Sequence, residues 1–131
     1  MDFLTEAFGG FDPQCDEDAA LKLSLNALLL DNRSHDLLKL VKGGNRFGGV
    51  EGVPGWIIER REGSELAGYE NWPGSARFRA YVDPTQYALA YPEFYADTPT
   101  FMRYVRAIVT VYEKRRPECS STTQQILKEA L

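Results

Sequence analysis

The stretch that decides the fold is residues 98–117, TPTFMRYVRAIVTVYEKRRP. Thr98 predicts a helix N-cap and Pro99 the first helical position, where a missing N–H costs nothing. Phe101, Val105, Ile108, Val109 and Tyr112 recur at helical spacing and predict a buried stripe, with Arg103, Arg106, Thr110 and Glu113 facing away. Lys114, Arg115 and Arg116 sit at the negative end of the helix dipole, and Pro117 stops the chain from continuing. A helix over about 99–116 with so apolar a stripe needs a surface to cover.

That surface lies upstream. Residues 77–82, RFRAYV, alternate and place Phe78, Ala80 and Val82 on one face of a strand that ends at Asp83-Pro84. Trp56-Ile57-Ile58 opens another strand, which runs through Glu59-Arg60-Arg61-Glu62 to a turn at Gly63-Ser64. Leu66 to Trp72 predicts a further strand, stopped by Pro73-Gly74. Short strands joined by tight turns make an antiparallel sheet with one wet face. The expected fold class is α+β: a single domain over residues 1–131, with N-terminal helices and a small sheet at about 56–82 packed against the 99–116 helix.

Before the sheet, Asp16 predicts the cap of a helix whose inward face is Leu21, Leu25, Leu28 and Leu29. Asp31-Asn32 breaks it. Ser34 predicts the cap of a second helix, with Leu37, Leu38, Leu40 and Val41 inside, ending at Gly43-Gly44. Residues 43–55, GGNRFGGVEGVPG, hold six of the eleven glycines and read as a loop. A last helix over about 122–131 has Ile126, Leu127 and Leu131 to dock with.

The glycine-rich loop does not have a phosphate-binding pattern. Gly48-Gly49 is followed by Val50-Glu51 rather than Gly-Lys-Ser/Thr, and Gly49, Gly52 and Gly55 miss the dinucleotide spacing. His35 is the only imidazole and reads as an exposed helix residue, while Cys15 and Cys119 read as free thiols. No cofactor or metal is expected. Fifteen Lys+Arg against nineteen Asp+Glu give a net charge of −4, which argues against direct nucleic-acid binding because displacing phosphate counterions needs a basic face. The first twenty residues show neither a basic n-region nor a continuous apolar run. No apolar run approaches the roughly 20 residues of a membrane span, so the expected place is the cytoplasm, away from membranes.

The charge is unevenly placed. The first twenty residues carry six acids (Asp2, Glu6, Asp12, Asp16, Glu17, Asp18) and no base. A second acidic group falls on the hairpin after residue 56, beside aromatic residues. Tyr and Trp are common interface anchors, so the candidate partner-binding residues are Glu59, Glu62, Glu65, Tyr69, Glu70 and Trp72. Farther on, Tyr87, Tyr91 and Tyr95 recur every four residues but are broken by Pro92. That segment either lies over the sheet and completes the core or forms an aromatic surface.

Residues 87–118, YALAYPEFYADTPTFMRYVRAIVTVYEKRRPE, contain a Tyr-Pro-Glu-Phe turn, an acidic residue, and a Phe-x-x-Tyr helix ending in Arg-Pro. This quarter of the chain resembles immunity proteins of bacterial contact-dependent inhibition and related polymorphic-toxin systems. The resemblance implies a small cytoplasmic protein, not an enzyme, that binds a cognate toxin domain, often a nuclease. It would neutralise that toxin by plugging its active site or holding a nearby surface. A monomer or weak homodimer is expected, and no contact residue carries over from the resemblance. Two other classes fit the same features: an adaptor or accessory protein of a phage or secretion system, and a small enzyme using Glu59, Glu62 and Glu65 or His35.

Overall fold

The structure, a computed structural model, describes residues 3–42, 49–53, 55–61 and 72–131. Three helices come first: α1 (Leu4–Phe8), α2 (Ala19–Leu30) and α3 (Ser34–Lys42). Four strands follow, β1 (Gly49–Gly52), β2 (Trp56–Arg60), β3 (Phe78–Val82) and β4 (Glu93–Ala96). Then come α4 (Thr98–Arg115), a short 3₁₀ turn at Pro117–Cys119, and α5 (Ser120–Glu129). The strands lie in chain order and every neighbour pair is antiparallel, with Val50 opposite Ile58, Trp56 opposite Val82 and Phe78 opposite Ala96. This is the α+β fold expected from the alternation at 77–82 and the helical stripe at 101–112.

Helix α2 is the centre of the molecule. It touches β2, β3 and β4 on one side and α4 on another. Leu21, Leu23, Leu25, Leu28 and Leu29 are all buried, so it is apolar nearly all round, as a helix enclosed by other elements must be. The one cation on this surface, Lys22, is also largely buried and is held by Asp16 and Asp18 at 3.1 and 3.4 Å. The whole stripe read from α4 (Phe101, Val105, Ile108, Val109 and Tyr112) is buried. Helix α5 packs on α3 and α4 through Ile126 and Ala130.

Several local expectations are corrected. The cap of α4 is Asp97, one residue earlier than Thr98, and its carboxylate accepts the Thr100 N–H at 2.9 Å. A carboxylate in extended backbone there outcompetes the threonine hydroxyl and puts favourable charge on the helix dipole. Asp16 does not cap α2, which starts at Ala19; its carboxylate binds the Asp12 N–H and Lys22 instead. Helix α1 has no counterpart in the sequence reading, being too short for periodicity. It is held by Asn26, whose Oδ1 accepts the Phe3 N–H at 2.9 Å, and by the Phe3 ring standing edge-on to Tyr112.

Part of the expected 43–55 loop is the edge strand β1. Its glycines are what allow the pairing: a Cβ on Gly52 would come within 2.9 Å of both Arg33 Nη1 and the Trp56 ring. Strand β4 was not read either, because a four-residue strand after Pro92 carries too little alternation. Leu131 is exposed rather than docked, and Ala130 is buried in its place. Tyr87 and Tyr91 are exposed too, so of the two readings of that segment they follow the surface one. The predicted strand at 66–72 and the turn at Gly63-Ser64 fall almost wholly outside the described residues. Cys15 and Cys119 are free, and His35 is exposed on α3.

Candidate interaction surface

Burial alternates along the strands because successive side chains point to opposite faces. Val50, Trp56, Ile58, Phe78, Ala80, Val82 and Ala96 face the helices and are buried. The opposite face carries Glu51, Ile57, Glu59, Arg79, Tyr81, Glu93 and Tyr95, all of them exposed or half-buried. Pairing sets two rows across it. One runs Glu51, Ile57, Tyr81, Glu93, and the other Glu59, Arg79, Tyr95.

Arg79 organises this outer face. Its Nη1 donates to Glu59 Oε1 at 2.6 Å and its Nε to Glu93 Oε2 at 2.6 Å, while the guanidinium lies 4.8 Å from the centre of the Tyr81 ring. Burial works against the charged guanidinium, but Glu93 and Glu59 together outweigh it and hold the proton more firmly than in a free arginine. Trp72 packs edge-on against Tyr95, with ring centres 5.5 Å apart. Burial, and then the charge of Glu93, pushes the Tyr95 phenol up. Two carboxylates share one guanidinium between aromatic rings, so the groups are fixed in place before any partner arrives.

Of the candidate residues, Glu59 and Trp72 are brought to this same face. Glu62, Glu65, Tyr69 and Glu70 lie outside the described residues. Glu59 is paired with Arg79, which it shares with Glu93. Sequence reasoning singled out none of Arg79, Tyr81 and Glu93, and for Tyr95 it left core and surface both open. The signal for the first two was present, because alternation that buries Phe78 and Ala80 turns Arg79 and Tyr81 outward.

The N-terminal acids form a second feature, beside the end of the sheet. Asp16 Oδ2 accepts the Asp12 N–H at 2.9 Å and Lys22 Nζ at 3.1 Å, in that order of effect holding its carboxyl below the usual range. The Tyr104 hydroxyl donates to Asp18. Burial first, and that carboxylate second, push the Tyr104 phenol up to about 12. An open depression here is lined by Cys15, Asp16, Glu17, Asp18, Lys22, Phe94 and Tyr104. Among the described residues no group of three or more His, Cys, Asp or Glu could hold a metal ion, and no helix is long and apolar enough to cross a membrane. Comparison with known protein families, with curated proteins and with solved structures yields no match to this chain.

Proposed function

We propose that this protein is a cytoplasmic, non-enzymatic binder that neutralises a cognate bacterial toxin domain, as the immunity proteins resembled by residues 87–118 do. The observation that carries the reading is the outer face of the sheet. Half-buried Tyr81 and Tyr95 flank an Arg79 already clamped by Glu59 and Glu93, with Trp72 against Tyr95. Rigid aromatic side chains lose little entropy on contact and make strong anchors. Among the outward residues of the four strands Glu51, Glu59 and Glu93 outnumber Arg79, an excess that favours a partner basic around a phosphate-binding groove and speeds its approach.

Co-expression with the toxin encoded beside it tests the reading: growth should be rescued, and the two proteins should co-purify. Tyr81→Ala and Tyr95→Ala should weaken the pair without unfolding the protein. A wild-type protein that neither rescues growth nor retains the toxin sinks the proposal. Neighbouring genes for phage or secretion components would turn it toward an adaptor.

A further inference from the structure

The two edges of the sheet are not equivalent. On β1 the Glu51 carbonyl accepts Arg33 Nη1 at 2.7 Å, and Arg33 is itself held by Asp36 at 2.8 Å and lies over the Trp56 ring. On β4 no such cover exists among the described residues. The Val82 N–H donates to the Pro92 carbonyl at 2.9 Å, so by the antiparallel alternation Phe94 and Ala96 bond back to β3. Glu93 and Tyr95 turn their N–H and C=O groups outward, and nothing among the described residues bonds to them. Two donors and two acceptors thus stand in a row on an open strand edge.

The acidic depression lies beside this edge. The 12–18 loop is tied to the approach to β4 by the Ala90 N–H, which donates to the Pro13 carbonyl at 2.9 Å, and Phe94 itself lines the depression. A strand laid against β4 would alternate its side chains. Half would sit over Asp16, Glu17, Asp18 and Tyr104, where Lys22 and Arg103, which lies over the Tyr104 ring at 5.8 Å, offset part but not all of the negative charge. The other half would sit beside Glu93 and Tyr95. The carboxylates of the loop favour cationic side chains at alternate positions, whereas on the other side Arg79 already holds Glu93 and the Tyr95 ring favours apolar ones.

We propose that the β4 edge receives an extended segment of a partner protein with Lys or Arg at alternate positions. This rests on the binding reading above only in taking the partner to be a protein. Backbone bonds to Glu93 and Tyr95 would supply the register, and the acidic loop the preference for a basic sequence. A second copy of this chain fits worse, because edge-to-edge pairing would bring two acidic loops toward each other.

The test titrates the full chain with the capped peptide Lys-Val-Lys-Val-Lys-Val, and with its Glu-Val counterpart, while amide exchange is followed by NMR. The Lys peptide should slow exchange at Glu93 and Tyr95 by roughly tenfold or more, lose this effect in high salt, and outcompete the Glu peptide. Tyr95→Pro removes an outward donor without cutting a bond to β3 and should abolish binding. Tyr95→Val, which keeps the N–H, should still bind, and Glu17→Lys should weaken binding. Equal response to both peptides, protection elsewhere than β4, or unimpaired binding by a folded Tyr95→Pro would overturn the proposal. So would a wild-type dimer in light scattering that Tyr95→Pro dissociates. Toxin rescue without peptide protection would overturn the edge assignment and leave neutralisation standing; protection without rescue would support the edge and overturn the toxin reading.

Discussion

The ring of Phe78 on β3 lies flat against the ring of Phe101 on α4, with centres 3.7 Å apart and planes inclined by 3°. Both rings are fully buried, and Arg60 lies over Phe78 at 5.1 Å while donating to the Leu40 and Val41 carbonyls. One stacked pair therefore joins the long helix to the sheet, and through Arg60 the end of α3 joins the same cluster. Stacked aromatics contribute beyond their buried area, so this contact ties α4 to a sheet that α2 otherwise covers.

Phe101→Ala should lose about 3–5 kcal/mol, the cost of an aromatic ring removed from a closed core. Against a total of about 5–15 kcal/mol for a domain, the variant would be close to unfolding. Urea denaturation should show a lower midpoint with an unchanged slope, and Phe101→Leu a smaller loss. A loss within experimental error would mean that α4 is held to the sheet by other contacts.

Two glycines should respond differently to alanine. At Gly52 the new methyl meets Arg33 Nη1 and Trp56 Cζ2 at 2.9 Å, and both neighbours are held, Arg33 by Asp36 and Trp56 by burial. Overpacking of this kind costs about 1–3 kcal/mol. At Gly74 nothing among the described residues lies within 4 Å, and Gly74→Ala should fall within about 0.5 kcal/mol of the parent. Paired thermal melts would check both.

What was legible in the sequence follows from how many residues carry each signal. Helix α4 has five stripe positions, a proline near its start and another after its end, and β3 has three alternating apolar residues; both were readable. Strands β1 and β4 have four residues each and depend on partners for their identity. Glycine content argued against the first, and Pro92 hid the second. The same gap explains the site: Glu59 was found as an acid, but its binding to Arg79 depends on the β2–β3 register, and Glu93 enters only through β4. Residue type picked out Glu59 and Trp72, which the structure places on one face of the sheet. The pairing that decides their contacts and orientation is non-local.

Arg79→Met should separate orientation from stability on the outer face. It removes the cation between Glu59 and Glu93, whose side chains are 33% and 40% exposed, so solvent limits the loss to about 1 kcal/mol. Adding Glu59→Gln to Arg79→Met should recover part of that loss, since one of two unneutralised carboxylates is gone. A double-mutant cycle on denaturation free energies measures the coupling directly. Additive effects would show that the clamp is a surface coincidence.

The alkaline limit of stability should be set by two phenols. Burial, followed by the neighbouring Cys119, pushes Tyr112 up to about 12, and burial, followed by Asp18, does the same at Tyr104. An ordinary tyrosine titrates near 10. Because folding favours the neutral phenol at both positions, their contribution is complete below about pH 10, and it is lost as pH rises from 10 toward 12. Melting temperature should therefore fall across that window, with late phenolate absorbance from a minority of the seven tyrosines. Tyr104→Phe, which gives up only the hydroxyl bonded to Asp18 on the rim of a depression, should flatten the decline at little cost at neutral pH. Tyr112→Phe should flatten it as well but start from a lower melting temperature, because its hydroxyl meets Asn32 Oδ1 at 3.4 Å and Cys119 Sγ at 3.5 Å inside the fold. If all seven phenols titrate together near pH 10 in the folded protein, neither hydroxyl is shielded as the structure has it.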